Sequence, residues 1–497
     1  MRAQPPGARK YRRKGMFFWH SACFAILGSD WTGTQMSNLR SKAVAGRLSA
    51  FVAGSPRTSV ALVMYALLAC VLLISIVLAL TGQQSAAWIL RGMVSGEILD
   101  AADSWNVMIV ALEWLDAHPA ADGNLYREVF FEQQNKFQYA PTSLVPLDAL
   151  RMMGVKLTPV LLNDLNRVIL IAGALGVGVL GWLVPARLLN GPLDADTRRA
   201  RLLLSVAAAG AALLFFPFIY GYHIGQLQVW INALFVAACI AWLSGHRATT
   251  GVLIGLVCML KPQFGLFLIW GALRREWRFT AALLATGTLG LALSVMLYGF
   301  GNHLAYLEVL SFLSRHGESY WANQSANGLM QRIFENGEIH NFGVDAFPPF
   351  HPVIYAGSML VTVAFLAGIF RLRRGEGEVV AFYDFMLAAL VFTAASPIAW
   401  EHHYGILAPI FVVIASVWVL AAPRSGPVWL GVGLCLAFFI AALPLWGLQY
   451  APGILHVLMS HLYLAALFVL AALWGLVTGR WGRLPPGVPS RAAGEAA

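Results

Sequence analysis

Apolar runs of membrane-spanning length recur along the chain, and they constrain its fold more than any single motif does. A helix needs about 20 apolar residues to cross a hydrocarbon core of roughly 30 Å. Hydrophobic residues make up 59% of the 497 residues and charged residues only 12%, about half the charged fraction of soluble proteins. The runs lie at residues 59–82, 168–189, 201–220, 226–244, 279–298, 351–371, 380–396, 404–421, 427–447 and 454–477. They predict an all-α polytopic membrane protein with about 10–12 transmembrane segments.

One apolar stretch, residues 249–273, is interrupted at its centre by Lys261, Pro262 and Gln263. The two apolar pieces beside this break are each too short to cross a bilayer alone. Basic residues precede the first piece and follow the second, so both outer ends carry positive charge. We therefore predict a split hairpin of two short helices, whose broken backbone is satisfied by protein or by a polar cavity.

The basic residues predict how the spans are oriented. The formal charge of +10 is spread over short loops, which is typical of membrane orientation rather than of a nucleic-acid-binding face. When the spans alternate, these basic loops fall on one face, which is then the cytoplasmic one. The extracytoplasmic face receives two long loops, residues 83–160 and 299–350. We expect a multi-pass protein of a bacterial inner (plasma) membrane, with membrane lipids and no nucleic acid as partners.

The two ends of the chain differ in composition from the apolar part. Residues 1–57 are basic and irregular, and we expect a flexible cytoplasmic N-terminal extension; a signal peptide is the alternative, although no clean cleavage site follows its short apolar patch. We predict a transmembrane domain over residues 58–480 and a cytoplasmic tail over residues 481–497. Three methionines are candidate start positions: Met1, Met16 and Met36.

The two long outer loops are rich in aromatic residues, which disordered segments lack. Within the first loop, residues 106–117 carry apolar side chains at helical spacing, namely Val107, Val110, Ala111, Trp114 and Leu115. This spacing predicts an amphipathic helix at the membrane interface. Both loops are therefore expected to be ordered and helical, and to cap a cavity.

Asp103 follows the first apolar span and immediately precedes this predicted helix. One interpretation is structural, because a carboxylate in this place can cap a helix N-terminus or lie in solvent. The other is catalytic, as a general base that removes a proton from an attacking hydroxyl. A single carboxylate is enough when the leaving group departs as a phosphate, unlike the paired carboxylates of soluble glycosidases. Asp100 is the alternative base.

Ionisable residues within the bilayer or at its edge mark functional sites by default. Lys261 either extends its amine to the interface or binds a phosphate, together with Gln263 and backbone amides freed by Pro262. His402 and His403 either make structural hydrogen bonds or donate to phosphate oxygens and move a proton.

On the predicted topology, Asp103, Lys261 and the two histidines all point to the extracytoplasmic side. We expect them to face one cavity there. A metal site in this cavity would need further ligands, for which Glu401 and His223 are candidates. We expect neither a metal nor another cofactor, and metal dependence is the alternative. The cysteines lie mostly in apolar runs, so we expect neither disulfides nor a zinc site.

Several polar motifs occur in a fixed order. They are Asp103-Ser104-Trp105, Asn124-Leu125-Tyr126, Lys136-Phe137-Gln138-Tyr139-Ala140-Pro141, Gly225-Gln226, Lys261-Pro262-Gln263, Asn323-Gln324-Ser325 and Ser396-Pro397-Ile398-Ala399-Trp400-Glu401-His402-His403. The ordered set resembles the polyprenyl-phosphate-sugar-dependent glycosyltransferases of family 87, which have the GT-C membrane fold. After Asp103 the chain reads Ser-Trp-Asn-Val-Met, whereas many members of that family have a short hydrophobic-Val-Tyr pattern.

The resemblance implies transfer of a sugar, mannose or another hexose or pentose, from a polyprenyl-phosphate donor to a lipid or glycan acceptor at the extracytoplasmic face. It implies that Asp103 is the general base, that His402 or His403 assists catalysis, and that the reaction inverts the anomeric centre. The expected contacts of the donor phosphate are Lys261, Gln263 and Arg332. The expected substrate-binding residues are Tyr126, Tyr139, Gln226, Asn323, Gln324, Trp400 and Glu401.

Three other functions would use the same kinds of residue. A transporter or flippase of lipid-linked sugars would bind its cargo with these groups, but it requires polar residues along a route that reaches both faces. A polymerase or ligase of lipid-linked sugars also works in an outer cavity. A structural membrane scaffold does not explain Lys261 inside an apolar hairpin.

Overall fold

A computed structural model describes residues 56–97, 99, 101–119, 122–188, 195–343, 346–420, 427–450 and 453–481. The predictions made for the N-terminal extension up to residue 55, for the tail beyond residue 481 and for Asp100 lie outside these residues.

The described residues form helices and connecting turns, with a single isolated bridge between Asn323 and Trp400. The α-helices are α1 (Pro56–Leu80), α2 (Ala86–Ser95), α3 (Trp105–Ala117), α4 (Val145–Met152), α5 (Pro159–Leu188), α6 (Ala195–Leu214), α7 (Phe216–His223), α8 (Gln228–Leu243), α9 (Arg247–Leu260), α10 (Phe267–Leu273), α11 (Trp277–Tyr298), α12 (Phe300–His316), α13 (Ala326–Ile333), α14 (Pro352–Arg371), α15 (Glu378–Ala394), α16 (Leu407–Leu420), α17 (Val428–Ala441) and α18 (His461–Val477). A short π-helix covers Tyr126–Glu132, and short 3-10 helices cover Pro141–Leu144, Pro262–Leu266, Glu401–Ile406, Trp446–Tyr450 and Gly453–Ser460.

Within the described ranges, four helical segments are long and apolar enough to cross a bilayer: Pro159–Arg187, Trp277–Tyr298, Pro352–Arg371 and Gly453–Val477. The bent pair α6–α7 makes a fifth if it is one span. The prediction of an all-α polytopic membrane protein is confirmed. The predicted number of spans stays a prediction, because α8, α9, α16 and α17 are apolar but shorter than the membrane is thick.

The apolar run at residues 201–220 is broken rather than straight. Helix α6 ends at Leu214, and α7 begins at Phe216 at an angle of 54° to it. Pro217 lies in the first turn of α7, where the missing N–H costs nothing, but it cannot continue the preceding helix. The Phe216 N–H donates to the Ala442 carbonyl instead, over 3.4 Å. The bend turns α7 towards the site described below.

The predicted split hairpin is present in the fold. Helix α9 ends at Leu260, Lys261 is extended with φ −140° and ψ 91°, and Pro262 opens the 3-10 turn that leads into α10. The two outer ends return to one place, because Arg247 Nε lies 3.5 Å from Glu276 Oε2. The Lys261 break therefore lies at the opposite end of the hairpin from these charges.

A buried ion pair fastens the basic end of the hairpin to α15. Arg274 Nε donates to Asp384 Oδ2 over 2.6 Å, and the two side chains are only 8% and 0% exposed. Arg374 approaches both Glu276 (3.5 Å) and Asp384 (3.9 Å). These basic residues come from segments that the sequence placed on one face, and here they meet at one end of the helices.

The two long loops are helical, as predicted, and α3 packs one side against the core. Five of its residues are buried, namely Trp105, Met108, Ala111, Leu112 and Trp114, and Val107, Val110 and Leu115 are partly buried. Trp105 Nε1 donates to Asn163 Oδ1 of α5 over 2.9 Å. This bond holds the Trp105 side chain against the core and so fixes the rotation of α3 about its own axis. Residues three or four positions further along α3 lie on the same face as Trp105.

Candidate active site

The segment around Asp103 pairs with the turn that precedes α8. The Asp103 N–H donates to the Ile224 carbonyl (3.0 Å), and the Ser104 N–H donates to the Gly225 carbonyl (3.1 Å). Ser104, rather than Asp103, is the residue that precedes the first turn of α3. The structural alternative of Asp103 as a helix cap is therefore wrong.

Gly225 makes this pairing sterically possible. Its φ of +69° lies in the left-handed region, and a Cβ added there would lie 2.1 Å from the Ala101 carbonyl oxygen. Only glycine avoids both the conformational cost and the clash. The sequence motif Gly225-Gln226 thus brings the α8 entrance against the Asp103 loop.

Gln226 holds the Asp103 carboxylate directly. Its amide Nε2 donates to Asp103 Oδ2, and its Oε1 accepts the Ser104 hydroxyl over 2.7 Å. The Tyr139 hydroxyl lies 2.7 Å from Ser104 Oγ and 3.1 Å from Gln226 Oε1, and the Leu227 N–H donates to Ser104 Oγ over 3.0 Å. Three predicted site residues, Asp103, Tyr139 and Gln226, therefore meet in one hydrogen-bonded cluster, which we call the acid cluster.

The surroundings of Asp103 suit a proton acceptor. The side chain is partly buried. The pKa of the Asp103 carboxyl is raised above its ordinary value, because burial outweighs the Gln226 hydrogen bond and the positive charge of Lys136, which both lower it. A raised pKa makes a carboxylate a stronger base towards a hydroxyl.

Lys136 and Glu318 are two residues of this site that sequence reasoning did not select. Lys136 Nζ donates to Glu318 Oε1 over 2.6 Å, and the ammonium lies 3.9 Å from the centre of the Phe342 ring. The position of Lys136 in the Lys136–Pro141 motif was the available signal. Glu318 gave none, because nothing in its spacing indicates a partner 182 residues away.

The histidine pair divides into one ring with a local role and one with a free nitrogen. His403 Nδ1 accepts the Trp400 N–H over 3.1 Å, which closes the first turn of the Glu401–Ile406 3-10 helix. His402 is buried, and its Nε2 has no hydrogen-bond partner within the described part of the chain. A buried nitrogen without a partner is costly, and a bound ligand is one way to satisfy it.

Lys261 lies beside these histidines at the hairpin break. Its Nζ donates to Gln228 Oε1 over 2.8 Å, and Gln228 Nε2 donates to Asn232 Oδ1 over 3.0 Å. Asn232 in turn packs against Gly405, two residues after His403, and the Lys261 charge acts electrostatically on both histidines. Gln228 was missed from the sequence, although an amide two residues after Gln226 in an apolar helix is a signal. We call Lys261, His402 and His403 the cationic cluster.

The acid cluster and the cationic cluster adjoin through α7. A Cβ added at Gly221 would lie 3.7 Å from the Cβ atoms of both Gln226 and His402. The Tyr220 ring lies 6.4 Å from the His402 ring and within Coulombic range of Asp103. The acid cluster and His402 are therefore neighbours across α7, and the expectation that Asp103, Lys261 and the histidines face one extracytoplasmic cavity stays a prediction.

Asn323 and Gln324 are used to hold the turn before the histidines. Asn323 Oδ1 accepts the Ala399 N–H (3.1 Å), and its Nδ2 donates to the Glu318 carbonyl (2.9 Å). Gln324 Nε2 donates to the Met459 carbonyl over 2.7 Å. Both side chains are buried. Their predicted contact with substrate stays a prediction, while their positions fix the histidine turn.

The hydrogen bonds described for Arg332 and Gln263 do not involve the cationic cluster. Arg332 is buried and donates to the Asn323 carbonyl (2.8 Å) and to Ser460 Oγ (2.7 Å). Gln263 Nε2 donates to the Phe392 carbonyl over 3.3 Å. The structure gives both side chains intramolecular partners, and their predicted roles at the donor phosphate stay predictions.

The remaining predicted residues lie around the two clusters. Tyr126 is buried, and its hydroxyl donates to the Tyr139 carbonyl over 2.6 Å. Glu401 is buried, and its Oε2 accepts the Trp446 Nε1–H over 3.2 Å. The Trp400 ring stacks 6.3 Å from the His402 ring. Tyr126 therefore supports the acid cluster, whereas Trp400 and Glu401 flank the cationic one.

The described residues contain no group of three or more His, Cys, Asp or Glu side chains arranged to hold a metal ion. Lys261 supplies a positive charge near the histidines.

In this all-α membrane protein an aspartate carboxylate, side-chain amides and cationic side chains lie near one another, as a membrane-embedded transferase requires. The chain belongs to glycosyltransferase family 87, whose model matches residues 137–397. It is therefore a multi-pass membrane glycosyltransferase. The matched range includes Gln226 and Lys261, whereas Asp103 lies well before its first residue and His402 and His403 lie shortly after its last one.

Two curated proteins resemble this chain over much of its length. One is the polyprenol-phosphate-mannose-dependent alpha-(1-2)-phosphatidylinositol mannoside mannosyltransferase of Mycobacterium tuberculosis, 25% identical over 61% of this chain and 67% of that protein. The protein of the same name from Mycolicibacterium smegmatis is 25% identical over 63% of this chain and 71% of its own length. No solved structure matches, so the expected GT-C fold rests on the sequence resemblance.

Proposed function

We propose that this glycosyltransferase moves a sugar, most simply mannose, from a polyprenyl-phosphate donor to a lipid or glycan acceptor at the extracytoplasmic face of a bacterial plasma membrane. The names of the two relatives support the donor class. The observation that carries the proposal is the meeting of the acid cluster and the cationic cluster across α7.

In the proposed reaction, Asp103 removes the proton from an acceptor hydroxyl while that oxygen bonds to the anomeric carbon of the donor. The bond between the anomeric carbon and the phosphate oxygen breaks, and its electron pair leaves with the lipid phosphate. Attack and departure take place on opposite faces of the sugar, so the product has the inverted configuration. Asp103 supplies general-base catalysis, which typically contributes about 10²–10⁴-fold.

The cationic cluster suits the departing phosphate. Lys261 has donated one hydrogen bond to Gln228, and an ammonium has three donors in all. His402 adds a buried nitrogen without a partner among the described residues. Positive charge and donors placed before the reaction stabilise the charge that develops on the phosphate. We propose that Lys261 supplies this charge and that transfer is independent of metal ions and of other cofactors.

The experiment is transfer by the purified, detergent-solubilised protein, with radiolabelled polyprenyl-phosphate mannose and an extract of membrane lipids as acceptors. Parallel reactions contain a chelator or replace the donor with a nucleotide sugar. We expect a labelled product of inverted anomeric configuration, unchanged rate with the chelator, and no transfer from the nucleotide sugar. Transfer from the nucleotide sugar alone would contradict the proposed donor, and loss of activity with the chelator would contradict the proposed independence of metal ions.

A further inference from the structure

A buried ion pair joins the two long outer loops near the acid cluster, because Lys136 comes three residues before Tyr139, whose hydroxyl lies 2.7 Å from Ser104 Oγ. Lys136 belongs to the first loop and Glu318 to the second, and their charged atoms are 2.6 Å apart with side chains 10% and 3% exposed. The Lys136 ammonium also lies 3.9 Å from the centre of the Phe342 ring and 4.7 Å from that of Phe347. Burying an ion pair costs free energy that a purely structural contact does not need. Such a pair therefore calls for a reason beyond holding two loops together.

Glu318 is rigidly held, but only part of its carboxylate is used. Its N–H donates to Asn327 Oδ1 over 3.1 Å, and its carbonyl accepts from Asn323 Nδ2 over 2.9 Å. Oε2 is buried and has no hydrogen-bond partner among the residues that the structure describes. The negative charge of Glu318 is therefore balanced chiefly by Lys136. In turn, Glu318 reduces the net positive potential that Lys136 exerts on other groups.

Asp103 is the second acid whose pKa is lowered by the positive charge of Lys136. The titratable groups that interact electrostatically with Asp103 include Lys136 and Tyr139 on the first loop, Tyr220 on α7, and Glu318 and Tyr320 on the second loop. With both acids ionised, one ammonium faces two carboxylates. The pKa of the Glu318 carboxyl is raised by burial and by Asp103, while Lys136 lowers it. The two carboxylates thus compete for one cation.

We propose that Lys136 and Glu318 are positioning residues for Asp103. The positive charge of Lys136 favours the ionised form of this base. The negative charge of Glu318 offsets part of that effect, so that the carboxylate keeps its affinity for a proton. This inference rests on the proposed role of Asp103 as the general base. Neither residue transfers a proton to the substrate.

The proposal predicts effects of opposite sign from two substitutions that break the same ion pair. Lys136→Met removes the cation, so Asp103 ionises less readily and the acidic limb of kcat/KM moves to higher pH, by about one unit. Glu318→Gln removes the negative charge that offsets Lys136, so Asp103 ionises more readily and the acidic limb of kcat/KM moves to lower pH. Lys136→Arg keeps the charge, and its limb stays close to that of the wild-type protein.

The measurement is the pH profile of kcat/KM for the four proteins, together with the pH dependence of the Asp103 carboxyl band in infrared difference spectra, assigned by its loss in Asp103→Asn. If the pair only held the loops together, the acidic limbs of Lys136→Met and Glu318→Gln would shift in the same direction or not at all. Either result overturns the proposal. If Lys136→Met does not fold, the direction of the Glu318→Gln shift decides alone: only a shift to lower pH supports the proposal. Full activity of Asp103→Asn would overturn the base assignment itself, whereas an inactive Asp103→Asn with unmoved limbs overturns only this inference.

Discussion

The acid cluster and the cationic cluster differ in how completely the protein satisfies their polar atoms. Around Asp103, Ser104 and Gln226, side-chain and backbone donors are paired with acceptors at 2.7–3.1 Å. Around Lys261 and His402, one amine hydrogen bond goes to Gln228 and a buried ring nitrogen is unpaired among the described residues. The protein therefore orients the Asp103 carboxylate, the proposed base, in advance, whereas the cationic cluster has donors left for a ligand.

This difference matches what the two halves of the proposed reaction require. A base must be oriented before the acceptor arrives, because its efficiency depends on hydrogen-bond geometry. Donors to a leaving phosphate are most useful when the phosphate, rather than the protein, completes them.

The largest expected effect is at the base. Asp103→Asn keeps the shape of the side chain but removes its proton-accepting capacity, so we expect steady-state transfer to fall about 10²–10⁴-fold. Glu113→Gln, which removes an exposed carboxylate from α3, is the matched control and is expected to transfer normally. Equal activity of Asp103→Asn and the control would mean that the acid cluster does not contain the base.

The next effect is at the hairpin break. Lys261→Met removes the ammonium and is expected to lower kcat about 10²–10³-fold, as loss of a preorganised charge-stabilising donor does. Lys156→Met, at an exposed lysine of the first outer loop, is the control. Recovery of activity in Lys261→Met on adding divalent cations would point to a metal in place of the lysine charge.

The two histidines are expected to separate. His402→Phe removes a donor to the phosphate and should lower kcat about 10- to 100-fold. His403→Asn keeps an acceptor for the Trp400 N–H and should transfer at nearly the wild-type rate. The reverse order of activities would assign the ligand-facing role to His403 and would break the distinction drawn from the unpaired His402 nitrogen.

A smaller, structural effect is expected at Gly225. Gly225→Ala forces a side chain into a left-handed conformation, at about 1–2 kcal/mol, and against the Ala101 carbonyl. Lower thermal stability and weaker transfer should follow together. Gly210→Ala, where an added Cβ meets nothing within 4 Å, is the control. A stable and fully active Gly225→Ala would show that the acid cluster tolerates displacement of its loop.

Local physical rules were enough to predict the membrane class and the broken hairpin. Pro262 cannot continue α9, and the apolar pieces beside it are too short to span, so the break at Lys261 followed from the sequence. The bend at Phe215 was missed, although Pro217 was a visible signal. The Trp105–Asn163 bond was not predictable either, because it joins residues far apart in the sequence.

The site was predictable to the extent that topology brings residues to the same side. Asp103, Gln226, Lys261 and His402 were selected because each is polar next to an apolar run. The Lys136–Glu318 pair was not, since its members lie in different loops and no spacing rule connects them. The intramolecular partners of Asn323, Gln324 and Arg332 were equally invisible, because an amide or guanidinium that binds backbone looks the same in a sequence as one that binds a sugar.

The most direct test is to measure donor affinity and single-turnover transfer rate on the same preparations of wild-type, Asp103→Asn and Lys261→Met protein. If Asp103 acts as the base and Lys261 binds the donor phosphate, Asp103→Asn should bind polyprenyl-phosphate mannose with wild-type affinity but fail to transfer the sugar. Lys261→Met should lose donor affinity as well as transfer rate. Weakened donor binding in Asp103→Asn, combined with wild-type donor affinity and rate in Lys261→Met, would contradict this assignment of roles.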